Sequence, residues 1–243
     1  MRNNFSVINV YKKKNLKSEI VTQLLYGESF KKLKKSNNWL KIKNNLDNYK
    51  GYIKYKNFSS EIKNTHKVKK IFAKIYSKPN RKYQIKTKLS FGSRIKILKK
   101  EGRYYKFDNL WIDKNDVEKI NINSKNFFSN IAQFKNIKYK WGGKHYSGID
   151  CSALIQLCLN YNNKFCPRDT KDQVKYFKKK IKLKNVKKND LIFWKGHVAV
   201  VTSKKKLIHA YGPLKKVVSM PINKTINRIY KTANLKVMAI RRI

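Results

Sequence analysis

From Glu19 to Phe58 apolar and polar positions alternate over short runs, broken every few residues by asparagine, glycine or serine. The runs Ile20–Leu25, Phe30–Leu33, Trp39–Lys43 and Gly51–Tyr55 predict a small all-β unit of four or five strands. Gly27 and the asparagine-rich joints supply its turns. A weaker copy follows the polar stretch "SSEIKNTHKVKK", which reads as a linker. In that copy Phe91-Gly92 aligns with Tyr26-Gly27, and Ile95–Leu98 with Phe30–Leu33. Tyr104–Phe107 aligns with Trp39–Ile42, and Trp111-Ile112 with Tyr52-Ile53. The inference is two tandem β units of about 55 residues each, a size that folds alone.

The pattern changes after Ile120. Asn123–Asn136 predicts a helix, Gly142-Gly143 a tight turn, and Cys151–Tyr161 an apolar helix capped by Asp150. Thr170-Lys-Asp-Gln173 resembles a capping box opening a second helix over 171–180. After it only strands are expected: "DLIFW", "HVAVVTS", "KLIHAYG", "KVVSMPI" and "KVMAIRRI". Helices followed by an antiparallel sheet define an α+β domain. The expected division is 1–60 and 68–120 for the β units and 121–243 for the α+β domain.

Composition adds a strong constraint. With 41% hydrophobic and 13% aromatic residues the chain has the means to bury a core, so it is not a disordered tail. The net charge of +47 is spread as lysine through every segment, in a Lys/Asn/Ile-rich bias. Nucleic acid is a weak expectation as partner, because arginine, which reads bases and phosphates bidentately, is scarce beside lysine. The field still favours anionic ligands. No run is apolar and long enough for a signal peptide core or a membrane span, and the three cysteines form no even disulfide framework. The expectation is a cytoplasmic protein without membrane contact.

Candidate chemistry centres on Cys151, at the start of a predicted helix, where the helix dipole favours a thiolate. A base must come from His66, His145, His197 or His209. His66 falls in the linker and His145 in the loop before the cysteine. His197 opens the strand after "FWKG" and His209 ends the next one. Neighbouring antiparallel strands bring two such imidazoles side by side, one as base and one fixing its tautomer. A buried core thiol and a zinc site of Cys151, His197 and His209 remain open on these residues alone; no close-spaced CxxC or HExxH pair supports the metal.

The segments "YKWGGKHYSGIDCSALIQ", "CPRDTKDQ", "KKNDLIFWKGHVAVV" and "KLIHAYG" resemble, in order, the NlpC-type papain-like cysteine peptidases of bacterial cell walls. "TQLLYGESF", Trp39 and "LDNYKGYI" are similar to one branch in particular. Its members carry N-terminal SH3-like barrels and cleave γ-D-glutamyl to diamino acid bonds in wall peptides with a free N-terminal L-Ala. The resemblance implies Cys151 as nucleophile, His197 as base and His209 as third polar residue, with Tyr139 at the oxyanion. It also implies Ser152, Asp169 and the barrel tyrosine Tyr49 as holders of the substrate amine, and neither metal nor cofactor. The expected partners are peptidoglycan stem peptides (muropeptides).

Each residue has a duller explanation. Asp150 and Asp169 serve as helix caps, Tyr49 as an ordinary barrel tyrosine, Cys158 and Cys166 as core thiols, and Trp39 and Trp194 as core aromatics. Trp141, Gly142 and Gly143 shape the entrance to the site. The chain departs from the family pattern at Ala153, where glycine is common, and at Asn189, which replaces a turn glycine and tolerates the left-handed region. The competing reading of the whole is an inert wall-fragment or nucleic-acid binding protein.

Overall fold

A computed structural model describes residues 1–243. Its first unit is an antiparallel sheet of β1 (Val7–Tyr11), β2 (Ile20–Leu25), β3 (Phe30–Ser36), β4 (Trp39–Asn44) and β5 (Lys50–Lys54), in the order β2-β1-β5-β4-β3. Alternation sets its core: in β4, Leu40 and Ile42 are buried on either side of exposed Lys41, and they join Ile8, Val10, Leu24, Phe30 and Ile53. The strand β1 was not among the runs read from sequence. It pairs with the next strand, β2, and through Tyr11 and Tyr52 with the distant β5.

The second unit contains β6 (His66–Val68), β7 (Phe72–Tyr76), β8 (Gln84–Ser90), β9 (Arg94–Ile95), β10 (Lys99–Glu101), β11 (Tyr104–Phe107), β12 (Leu110–Asp113) and β13 (Val117–Lys119). They form one sheet ordered β10-β11-β12-β7-β8 and a smaller one ordered β13-β6-β9. The supposed linker therefore contains a strand. His66 and Lys67 pair with both β13 and β9, so a boundary at residue 68 cuts through β6.

The third unit opens with the hairpin β14 (Lys144–His145) and β15 (Gly148–Ile149) and the helices α1 (Cys151–Tyr161) and α2 (Thr170–Tyr176). It continues with β16 (Lys179–Lys180), β17 (Leu191–Trp194), β18 (His197–Val201), β19 (Lys206–Tyr211), β20 (Lys216–Pro221), α3 (Ile222–Ala233) and β21 (Ala239–Arg242). The strands after the hairpin form an antiparallel sheet ordered β16-β21-β17-β18-β19-β20. Val198, Val200, Ile208 and Ala210 share a core with α1, while Ala199, Val201 and Leu207 share one with Ile222 and Ile229 of α3. No helix is long and apolar enough to cross a membrane.

Three expectations for this unit need correction. Asn123–Asn136 forms turns and a 3-10 segment at Ile131–Phe134 instead of a helix. Ser124 and Asn126 side chains accept the N–H groups of Asn126 and Phe128, and Asn136 has φ +68°, so local side-chain bonds outcompete the helix. The helix α2 stops at Tyr176, because Lys179 and Lys180 pair with β21. Its N-cap is Asp169 rather than Thr170, and Gln173 reaches the Ser152 and Pro167 carbonyls instead of closing a capping box. Finally, α3 lies where only strands were expected. Ile222, Ile226 and Ile229 mark its apolar stripe at helical spacing, but β-branched isoleucines among lysines and asparagines disguise it.

The three units are tightly docked. Leu25 and Phe91 belong to the same core cluster as α1, with Phe91 stacked on Tyr161 at 4.4 Å between centroids. Glu28 and Lys144 form a fully buried ion pair at 2.8 Å between the first and third units. Two glycines permit backbone approach across these seams. A Cβ on Gly27 (φ +80°) would lie 1.8 Å from the Arg94 carbonyl oxygen, and one on Gly142 (φ +67°) 2.0 Å from that of Ile20.

Candidate active site

Asp150 follows β15 in extended geometry and caps α1, its Oδ1 accepting the Ala153 N–H at 2.8 Å. The cap is also an ion pair. Arg168 donates from Nη2 to Asp150 Oδ2 at 2.6 Å and from Nη1 to Oδ1 at 3.1 Å. Its Nη1 also reaches Ser152 Oγ at 2.9 Å, and its Nε reaches Thr22 Oγ1, on β2 of the first unit, at 2.8 Å. Both partners are buried. The guanidinium pKa rises despite burial, because Asp150 supplies both charge and hydrogen bonds. The sequence reading treated Asp150 as a cap and did not single out Arg168, the buried arginine of "PRD".

Cys151 is the first residue of α1 and is 5% exposed. Its Sγ lies 4.0 Å from Thr170 Oγ1 and 4.0 Å from the Gly196 carbonyl oxygen. Burial, and then the Asp150 charge, pushes the thiol up to about 11, opposed by the Val198 N–H and the Thr170 hydroxyl. Burial holds His197 down at about 4 and His209 at about 3, the latter lowered further by His197. At neutral pH the site therefore holds a neutral thiol and neutral imidazoles.

The β18–β19 register pairs Val200 with Ile208, which places His197 and His209 diagonally on one face. His197 Nε2 and His209 Nδ1 are 2.8 Å apart, and His209 stacks on Tyr211 at 4.7 Å. This pairing leaves Nδ1 as the free nitrogen of His197. No hydrogen bond joins the Cys151 thiol to His197, and Cys151, His197 and His209 do not converge as a ligand cluster.

Five of the seven residues singled out from the sequence line one cavity of about 400 Å3: Cys151, Ser152, Tyr139, Asp169 and Tyr49. Gly196, next to His197, also lines it, whereas His197 and His209 lie outside the lining. Tyr49 comes from the first unit and donates its hydroxyl to Asp169 Oδ2 at 3.1 Å. Asp169 holds the N-cap position of α2 without a side-chain capping bond, which leaves its carboxylate to the cavity. Burial raises the Asp169 pKa, and it raises that of Tyr49, which Asp169 raises further. Burial, with Cys151 and Asp150 nearby, also raises the Tyr139 pKa, so its hydroxyl remains a donor. At the rim, Trp141 Nε1 donates to Glu19 at 2.8 Å, a further bridge to the first unit.

The other histidines are elsewhere. His66 lies against Tyr105 with Thr65 Oγ1 at 2.9 Å, and His145 packs on Tyr146 with Ser147 Oγ at 2.8 Å. Burial lowers His145 to about 4. An unfolded chain protonates histidine near pH 6.5 and the folded one only near 3 to 4, so the unfolded state takes up more protons as pH falls. The stability carried by neutral His145 and His209 is present above pH 6.5 and is lost on descent to about pH 4. Melting temperature is expected to fall across that window, and His145→Asn is expected to reduce the total loss of folding free energy across it by up to about 3 kcal/mol. Identical pH slopes for the variant and the parent would contradict this assignment.

Residues 136–238 match the NlpC/P60 family model, and residues 6–59 match the bacterial SH3 domain model. The C-terminal domain belongs to the NlpC/P60 family. That family is one of cysteine-type hydrolases. A curated relative, dipeptidyl-peptidase 6 of Lysinibacillus sphaericus, is 25% identical over 229 residues, covering 83% of this chain and 84% of its own. An NlpC/P60 family protein from Bacillus cereus matches with TM-score 0.83 at 19% identity, over 99% of this chain and 98% of that one. An NlpC/P60 endopeptidase from Photobacterium damselae matches with TM-score 0.61 at 14% identity, over 96% of this chain and 69% of that one. At these identities the structural likenesses speak to fold, and the Bacillus cereus match extends over both β units and the NlpC/P60 domain.

Proposed function

We propose that this NlpC/P60 protein is a cysteine endopeptidase for the γ-D-glutamyl to diamino acid bond of wall peptides whose L-Ala amine is free. The observation that carries the reading is the shared cavity. Cys151, at the start of α1, faces the same space as the Tyr49–Asp169 pair, which is assembled from two different units. A bound ammonium needs a carboxylate in such a partly buried place, and Asp169 is one of only 13 acidic residues in the chain. Lys12, Lys50 and Lys171 line the same cavity and suit the carboxylates of the peptide. We assign the second β unit as another SH3-like module. We also place the enzyme in the cytoplasm, where its three free cysteines stay reduced.

In the proposed cycle the Cys151 proton passes to His197 Nδ1 as sulfur attacks the γ-carbonyl carbon. His209 holds Nε2 and thereby the ring orientation. The oxyanion is met by the Cys151 N–H and the Tyr139 hydroxyl. His197 then returns the proton to the departing amine, leaving a thioester. A water deprotonated by His197 attacks this thioester, releases L-Ala-γ-D-Glu and restores the thiol. Thiol and imidazole are not hydrogen-bonded to each other in the structure, so the cycle requires them to close that gap before the proton passes.

The amine anchor is tested with L-Ala-γ-D-Glu-diaminopimelate and its N-acetylated form. Acetylation is expected to lower kcat/KM by at least about a hundredfold, the cost of leaving a buried charged acceptor unpaired. Asp169→Asn is expected to lose most of that discrimination. Equal rates on the two peptides would remove Tyr49, Ser152 and Asp169 from the substrate site.

A further inference from the structure

At the other end of the six-stranded sheet lies a second concavity, of about 950 Å3, between the β18–β19 turn, the start of α3 and the loop before β17. Six of its 12 lining residues are basic and none is acidic: Lys184, Lys187, Lys204, Lys205, Lys224 and Arg242. Lysine and arginine make up 60 of the 243 residues overall, so this concavity is about twice as basic as an already basic chain. Arg242 is spent on Asp190 at 2.7 Å, and none of the five lysines has an acidic partner.

The helix α3 starts in this groove. The Lys205 carbonyl takes the Ile222 N–H at 3.0 Å. The cap residue, Pro221, offers no side-chain acceptor, and the next N–H groups, of lining residues Asn223 and Lys224, are ones a helix leaves without internal partners. The helix dipole thus adds to the lysine charge. Strand β18 begins at His197 and ends at Val201, so the Lys204–Lys205 turn stands roughly 16 Å by strand rise from the catalytic end. A ligand held here leaves the catalytic cavity open.

We propose that this groove binds a linear polyanion whose charge sits on phosphodiesters and which carries no bases, a polyol phosphate chain. Lysine ammoniums are point charges that follow phosphates along a flexible polymer without demanding one geometry. Nucleic acid would be served by free arginine forks and aromatic stacking platforms. The groove has neither: its arginine is occupied, and its apolar residues are Leu183, Val186, Pro221 and Ile222.

The test is fluorescence anisotropy of the full chain with a synthetic poly(glycerol phosphate) of about ten units, beside oligo-dT of equal phosphate number, at about 50 mM salt and above. Wild type is expected to bind the polyol phosphate more tightly than oligo-dT. The triple variant Lys204→Gln, Lys205→Gln, Lys224→Gln alters only exposed side chains. It is expected to bind at least about tenfold more weakly, with a salt slope shallower by about 2, while cleavage of short wall peptides is unchanged. A control triple of the same charge on β3, Lys31→Gln, Lys32→Gln, Lys34→Gln, is expected to stay within about twofold of wild type. Equal weakening in both triples, tighter binding of oligo-dT, or no binding of the polyol phosphate at low salt would each overturn the proposal. Circular dichroism of the variants ties any loss to binding.

Discussion

Cys151→Ala is expected to leave the fold in place and to lower kcat/KM on L-Ala-γ-D-Glu-diaminopimelate by about 10^5. The fold survives because the side chain is small, forms no disulfide and sits at a helix start that Asp150 caps with or without it. Catalysis does not, because no other nucleophile lies at the end of α1. The adjacent Ser152 hydroxyl is bonded to both Asp150 and Arg168. Mass spectrometry of the products under reducing conditions checks this. More than about 1% of wild-type turnover in the variant would rule out Cys151 as the nucleophile, and no turnover by wild type would leave only a binding role.

Arg168→Met is expected to cost about 3 to 5 kcal/mol of folding stability, because it strands the Asp150 carboxylate in a buried place. Chemical denaturation measures the loss. Activity is expected to fall further than the folded fraction, since the N-cap beneath Cys151 loses its orientation. Arg168→Lys is expected to rescue little: one ammonium does not reproduce bonds to Asp150, Ser152 and Thr22 in three directions. Stability of Arg168→Met within about 1 kcal/mol of wild type would show that the pair is dispensable.

Much of this site was legible because its signals are local. An aspartate before an apolar helical run names both the cap and the first helical residue, and Cys151–Tyr161 forms as read. The strand order allowed His197 and His209 to meet without requiring it, and in the structure their ring nitrogens lie 2.8 Å apart. The meeting of Tyr49 with Asp169 came from resemblance, since nothing in the spacing of residues 120 apart encodes it. Arg168 was passed over because in a chain with 60 basic residues one more cation carries no signal; only burial distinguishes it. The elements misread share a cause as well. Over Asn123–Asn136, side-chain to backbone bonds replace the helix, and in α3 the isoleucines that suggest strands follow a helical period.

The bond from Arg168 to Thr22 carries a consequence in time. Thr22 precedes Arg168 in synthesis, and the guanidinium has this partner only while the first unit is docked on the third. Order around Cys151 thus depends on docking of the first unit. A protein trimmed of its first unit would lose the Tyr49 wall of the cavity and a brace of the α1 cap together, so damage at the N-terminus would disarm the thiol instead of releasing an unselective peptidase.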